Sequence, residues 1–226
     1  MSARQQDLLR PVEYPESDGQ PMGETDKHIL LMFAFRFMLD EYFRTTEHVY
    51  VGSNLMCYYV AGDPTKSVSP DVFVVKGAAK GERRIYKFWE EPVPNVVLEI
   101  SSRKTRKDDF GKKKDLYAQL GVKEYFVFDP EYKLQPPLRA FRLHGEQLVE
   151  EIVNHQRVWS DELGLELVNT GTTLRLWNPG SQEFLRTPAE EATARQTEML
   201  ARQEAEQRAA RLAAKLRELG LDPDQL

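Results

Sequence analysis

Ser69-Pro70-Asp71-Val72-Phe73-Val74-Val75 and Asn95-Val96-Val97-Leu98-Glu99-Ile100 are the two stretches on which the reading of this chain turns. Each is an apolar run of strand length, and each carries one carboxylate: Asp71 heads the first and Glu99 lies inside the second. A third run, Glu124-Tyr125-Phe126-Val127-Phe128-Asp129, follows a basic, helix-like segment from Asp108 to Leu120. An isolated carboxylate is costly to bury, so an acid in a core strand needs a cation, a proton or a hydrogen-bond network beside it. Two such acids on neighbouring strands, with a lysine nearby, have the composition of a magnesium site for phosphodiester chemistry.

A helical wheel supplies the lysine. Phe110, Tyr117 and Leu120 share one stripe of the predicted helix, and Lys113 falls on it, between Phe110 and Tyr117. Lys112 and Lys114 are rotated away by roughly 100° each and face water. Asp109 lies one turn before Lys113 and is spaced to pair with it. A lysine on an apolar stripe can equally snorkel outward along it, and the wheel alone does not choose.

Composition sets the frame. A chain of 226 residues with a hydrophobic fraction of 41% and three Trp is expected to fold as one main domain with an appendage. The lone Cys57 excludes an internal disulfide framework and a cysteine-based zinc cluster. The opening Met-Ser-Ala-Arg-Gln-Gln-Asp lacks a signal-peptide apolar region and no 18-residue apolar run follows, so the expected location is cytoplasmic, without a membrane partner.

A net charge of −5 argues against a basic coat for nonspecific DNA binding. Charge is uneven, however, with seven Lys or Arg between Arg103 and Lys114. Of these, Arg103, Lys104, Arg106 and Lys107 are candidates to contact phosphate. A solvated helix entrance describes them equally well.

Residues 1–23, with their Pro and Gly, read as irregular. A helix is predicted from Thr25 to about Phe43, with Glu24, Asp26 and His28 at its start, and His28 reads as structural rather than catalytic. Residues 48–51 and 55–60 read as two short strands around a Gly-Ser-Asn turn, and residues 76–91 as a loop. Gly121 closes the lysine helix with a left-handed cap. Pieces between Leu138 and Trp177 read as antiparallel strands joined by turns. From Pro188 the composition turns to Ala, Glu, Arg and Gln, and Ala205, Ala209, Leu212, Leu216 and Leu219 form a short coiled-coil seam. The boundary is therefore drawn between residues 187 and 188. The helix beyond it is expected to project, and either to pair with a second chain (a homodimer or another helical partner) or to fold back.

Taken in order, these pieces resemble the PD-(D/E)XK, or restriction-endonuclease-like, nuclease superfamily, and more narrowly its Uma-two family. The likeness is carried by Tyr14-Pro15-Glu16-Ser17-Asp18-Gly19, Ser69-Pro70-Asp71-Val72, Leu98-Glu99-Ile100-Ser101-Ser102, the segment from Gly111 to Tyr125, and Asp129-Pro130. It extends over roughly residues 11 to 190. The superfamily motif places a lysine two residues after the second acid, and that position here is Ser101. The narrower family takes the lysine from the following helix, at the position of Lys113, which the wheel singles out independently.

The resemblance implies an α/β (α+β) domain, a mixed sheet flanked by helices, over residues 1–187, with a helical extension over 188–226. It further implies that Asp71, Glu99 and the backbone carbonyl of Ile100 hold Mg²⁺, with Mn²⁺ as a substitute. Lys113 would orient water or offset charge on the phosphate, and Glu24 and Asp109 would be accessory acids. The substrate implied is DNA. The competing reading is a noncatalytic module that keeps the fold and assembles through its C-terminal helix.

Overall fold

The two acid-bearing runs become neighbouring strands inside one sheet. The computed structural model describes residues 12–17, 19 and 25–218, and the chain divides into two compact units, residues 1–185 and 186–226. In chain order the first unit contains α1 (Asp26–Tyr42), β1 (Val49–Gly52), β2 (Cys57–Tyr58), β3 (Ser67–Val68), β4 (Val72–Lys76), β5 (Tyr86–Lys87) and β6 (Val96–Ile100). It continues with α2 (Arg106–Asp109), α3 (Lys112–Leu120), β7 (Glu124–Phe128), β8 (Leu138–His144) and β9 (Gln147–Glu151). It ends with β10 (Arg157–Ser160), β11 (Leu165–Asn169), β12 (Leu174–Asn178) and β13 (Glu183–Phe184).

The central sheet is six-stranded, in the order β1-β4-β6-β7-β8-β9. Only β6 and β7 run parallel, because the α2–α3 crossover carries the chain back between them; the remaining pairs are antiparallel. Both faces are covered, which is why β4, β6 and β7 read as continuous apolar runs rather than alternating ones. One face (Val72, Val74, Val96, Leu98, Phe126, Phe128) packs on Leu31, Phe35, Met38 and Leu39 of α1 and on Leu165, Leu167, Leu174 and Leu176 of the small β10–β13 meander. The other face (Phe73, Val75, Val97, Tyr125, Val127) packs on Tyr117 and Ala118 of α3. The architecture is the expected mixed α+β one, a mixed sheet flanked by helices.

Three local expectations are corrected. The helix predicted over 108–120 is two helices with Phe110 and Gly111 between them. The Tyr125 hydroxyl donates to the Asp109 carbonyl at 2.9 Å, taking an acceptor that a continuous helix would use, and Gly111 turns the chain at φ −117°, ψ −102°. The strands around Gly52-Ser53-Asn54 do not form a hairpin: β1 pairs with β4, whereas β2 pairs with β3 and, in parallel, with β5. The Asn54 N–H, at φ 50°, donates to the Pro70 carbonyl at 2.9 Å and so directs the chain away from β1. Residues 76–91, expected as loop, thus contribute β5.

The second unit is α4 (Pro188–Glu218), a helix of 31 residues with none buried. It opens on a capping box. The Thr187 N–H donates to Glu190 Oε2 at 2.8 Å, the Glu190 N–H returns to Thr187 Oγ1 at 3.3 Å, and Pro188 takes the first helical position. Glu24, Asp18 and Leu219 lie outside the described residues. No described helix is long and apolar enough to cross a membrane.

Candidate active site

The register of the central sheet brings the acids together. Val72 pairs with Leu98, so Asp71, one residue before β4, stands across from Glu99 of β6. Asp71 is anchored through both oxygens: Oδ2 accepts the Ile100 N–H at 2.7 Å and Oδ1 meets His28 Nε2 at 3.1 Å. The Ser53 hydroxyl donates to the Asp71 carbonyl at 2.7 Å and fixes the backbone before β4. The Asp71 side chain is 15% exposed, whereas that of Glu99 is 1% exposed.

Glu99 is enclosed by α3. Its Oε2 accepts Lys113 Nζ at 2.9 Å and its Oε1 accepts the Tyr117 hydroxyl at 2.6 Å. Lys113 and Tyr117 are one helical turn apart on the same face, so a single helix closes both oxygens. Lys113 also lies 3.4 Å from Oδ1 of Asp109, whose Oδ2 accepts the Thr105 hydroxyl at 2.8 Å.

These neighbours set the charge states. Burial pushes the Glu99 carboxyl up to about 8, with Lys113 pulling it down and Asp71 and Asp109 pushing it further up. Burial opposes the Lys113 charge, but Glu99, Asp109 and Asp71 outweigh it and hold the ammonium above the ordinary lysine range. Asp109 is raised by burial against the pull of Lys113, and burial carries the Tyr117 hydroxyl well above its usual value. The centre is therefore a buried set of acids held around one persistent cation.

The structure thus brings Asp71, Glu99, Ile100, Asp109 and Lys113 to one end of β6. The four phosphate candidates divide. Arg103, Lys104 and Lys107 are exposed, while Arg106 donates to the buried Asp129 at 2.9 Å. Asp129 also accepts the N–H groups of Glu131, Lys133 and Leu134, so Arg106 belongs to a turn-fixing network. Two contributors escape a sequence reading, His28 and the Tyr117 hydroxyl. A signal for the first existed: His28 heads the buried stripe of α1 that continues through Leu31, Phe35, Met38 and Leu39. Tyr117 was legible as an apolar stripe residue, but nothing in the spacing marked its hydroxyl. Among the described residues no group of three or more His, Cys, Asp or Glu is placed to hold a metal ion.

No curated protein matches this chain. Of solved structures, one from Anabaena variabilis, described as a "putative nuclease belonging to DUF820", is 16% identical, with a TM-score of 0.45 over 71% of this chain and 89% of that one. The model of the Uma2 family, described as "Putative restriction endonuclease", matches residues 10–175, a span that includes Asp71, Glu99, Asp109, Lys113 and both faces of the central sheet. By that match, well over half its length, the chain belongs to the Uma2 family.

Proposed function

We propose that this protein is a divalent-metal-dependent endonuclease that hydrolyses DNA phosphodiester bonds. The observation that carries the reading is the juxtaposition of Asp71 and Glu99 across β4 and β6, with the Lys113 ammonium 2.9 Å from Glu99. The donor set is all oxygen, two carboxylates and the Ile100 carbonyl at the end of β6, and it fits Mg²⁺ or Mn²⁺ rather than zinc. Magnesium needs only one or two carboxylates, since it keeps several waters, so the absence of a three-acid group among the described residues does not weigh against it. Each carboxylate oxygen has one hydrogen-bond partner here and retains a second lone pair.

A bound Mg²⁺ would polarise the phosphate and lower the pKa of an attacking water. The protein's own part is orientation and charge. His28 and the Ile100 N–H hold Asp71, and Tyr117 fixes the rotation of Glu99. Lys113 keeps a positive charge within the site and offsets the charge that develops on the phosphate. Arg103, Lys104 and Lys107 supply the exposed phosphate contacts, which position a duplex without reading its sequence. Arg106 is left out of that group by its bond to Asp129. The helix of the second unit is the assembly element, pairing with a second copy of the chain along Ala205, Ala209, Leu212 and Leu216.

The lysine triplet provides the test. Lys112 is 89% exposed and pairs with Asp108 at 3.8 Å, and Lys114 lies 5.6 Å from the centre of the Phe141 ring. A diffuse basic patch would treat the three as interchangeable. On mixed DNA substrates with Mg²⁺, Lys113→Ala should slow cleavage on the order of 10²-fold at nearly unchanged DNA affinity. Lys112→Ala and Lys114→Ala should be nearly silent. Equal losses for all three, at equal melting temperature, would remove Lys113 from the mechanism. No cleavage by the wild type with Mg²⁺ or Mn²⁺, beyond a chelator control, would favour the noncatalytic assembly module.

A further inference from the structure

Lys113 faces two buried carboxylates, and only one of them uses it fully. Its Nζ is 2.9 Å from Glu99 Oε2, a charge-assisted hydrogen bond, but 3.4 Å from Asp109 Oδ1. Asp109 is 1% exposed, and its Oδ1 is buried without a well-formed hydrogen bond, although the buried Ser101 hydroxyl also acts on the carboxyl. A buried carboxylate oxygen left in that condition costs free energy, so its place 3.4 Å from the Lys113 ammonium calls for a reason. The acid is also rigidly held. The Thr105 hydroxyl binds its other oxygen at 2.8 Å, and the Tyr125 hydroxyl binds its backbone carbonyl at 2.9 Å across the break between α2 and α3. The lysine, on its four-carbon stem, is the partner free to move.

We propose that Asp109 is a positioning residue, the second seat that the Lys113 ammonium takes when a divalent cation occupies Glu99. The inference rests on the metal-binding reading above. A divalent cation on Glu99 and an ammonium 2.9 Å from the same carboxylate repel each other strongly in a site this buried. Closing the 3.4 Å gap to Asp109 to the ~2.8 Å of a charge-assisted bond needs a shift of only about 0.6 Å. The exchange lengthens the Glu99 contact and keeps the lysine charge inside the site instead of expelling it to water. Without Asp109 the ammonium has only Glu99 to hold, and competes with the metal for it.

A double-mutant cycle on metal affinity separates this role from a simple nearby negative charge. Titration calorimetry of the full-length chain with MnCl₂ should show Asp109→Asn weakening binding about tenfold, and Lys113→Ala tightening it. On the Lys113→Ala background, Asp109→Asn should change affinity by less than about threefold. Asp109→Glu, which keeps the charge, should restore most of the wild-type affinity. An equal loss from Asp109→Asn on both backgrounds overturns the exchange while leaving the metal site standing. No binding by the wild type overturns both. Should Asp109→Asn fail to fold, crystals of the wild type grown with and without Mn²⁺ decide. Nζ must move toward Asp109 and away from Glu99 when the ion is bound, and an unmoved ammonium overturns the proposal.

Discussion

Glu99 is 1% exposed with Lys113, Asp71 and Asp109 around it, so its ionisation couples the site to the stability of the sheet. Its carboxyl titrates near 8 in the folded chain against 4.5 ordinarily, which means the native state favours the protonated form. That extra stability is fully present below about pH 4.5 and is lost as pH rises through about 8. In chelator, the wild type should therefore lose stability between pH 5 and pH 8. Glu99→Gln, which keeps the shape and cannot ionise, should flatten that slope, by on the order of 1 kcal/mol or more across the interval. Urea unfolding at the two pH values measures it, and parallel profiles for the two proteins would contradict the coupling. At this scale the sequence was most readable where a charged residue interrupts an apolar pattern. Asp71, Glu99 and Lys113 each do so, and their spacing alone brings them into question. His28 interrupts a stripe as well, yet its partner Asp71 is distant in sequence and is met only when α1 packs on the sheet. A one-dimensional pattern can mark a buried polar residue without saying what satisfies it.

Strand β1 is built around a contact that no pattern announces. Gly52 stands opposite Phe73 in the β1–β4 ladder, and a Cβ added at Gly52 would lie 2.1 Å from the Phe73 ring. Phe73 is fully buried and packs edge-on to Tyr50 and Tyr86, so it has little room to withdraw. Gly52→Ala should thus destabilise the protein by about 1–3 kcal/mol, the usual cost of overpacking. Combining it with Phe73→Leu should recover part of that loss, as coupled neighbours do. Chemical denaturation of the four proteins in the cycle checks this, and strict additivity would mean that the ring is not the obstacle. Ser53 follows Gly52 and holds the Asp71 carbonyl, so the same substitution should also weaken metal binding. Elements of five or more residues were legible because both faces of β4, β6 and β7 are apolar. Strand β2 falls within the strand predicted over 55–60, whereas β3 and β5, two residues each, carry no period to detect. The break at Phe110-Gly111 was missed because the wheel continues through it; a tyrosine hydroxyl on β7 creates it.

At the scale of the whole molecule, the two units differ in what stabilises them. The first is held by two apolar layers on a six-stranded sheet. The second is a helix of 31 residues with no buried side chain, in which Met199, Leu200 and Leu212 are at least half exposed. Its internal support is the capping box and i,i+4 pairs such as Glu191–Arg195 and Arg202–Glu206, both at 2.9 Å and weakened by screening in water. Because no described residue of α4 is buried, deleting residues 188–226 should leave cooperative unfolding and the near-UV circular dichroism of the first unit intact, with a melting temperature within about 2 °C of the full chain. An insoluble or molten truncation would show that the boundary is misplaced. The same deletion tests assembly. If the exposed seam pairs with a second copy, the full chain should sediment as a concentration-dependent dimer and the truncated chain as a monomer. A synthetic peptide of residues 188–218 should then gain helicity as its concentration rises, since an isolated helix of this composition is only partly formed. Helicity independent of concentration, with the full chain sedimenting as a monomer, would leave the seam without a partner in itself.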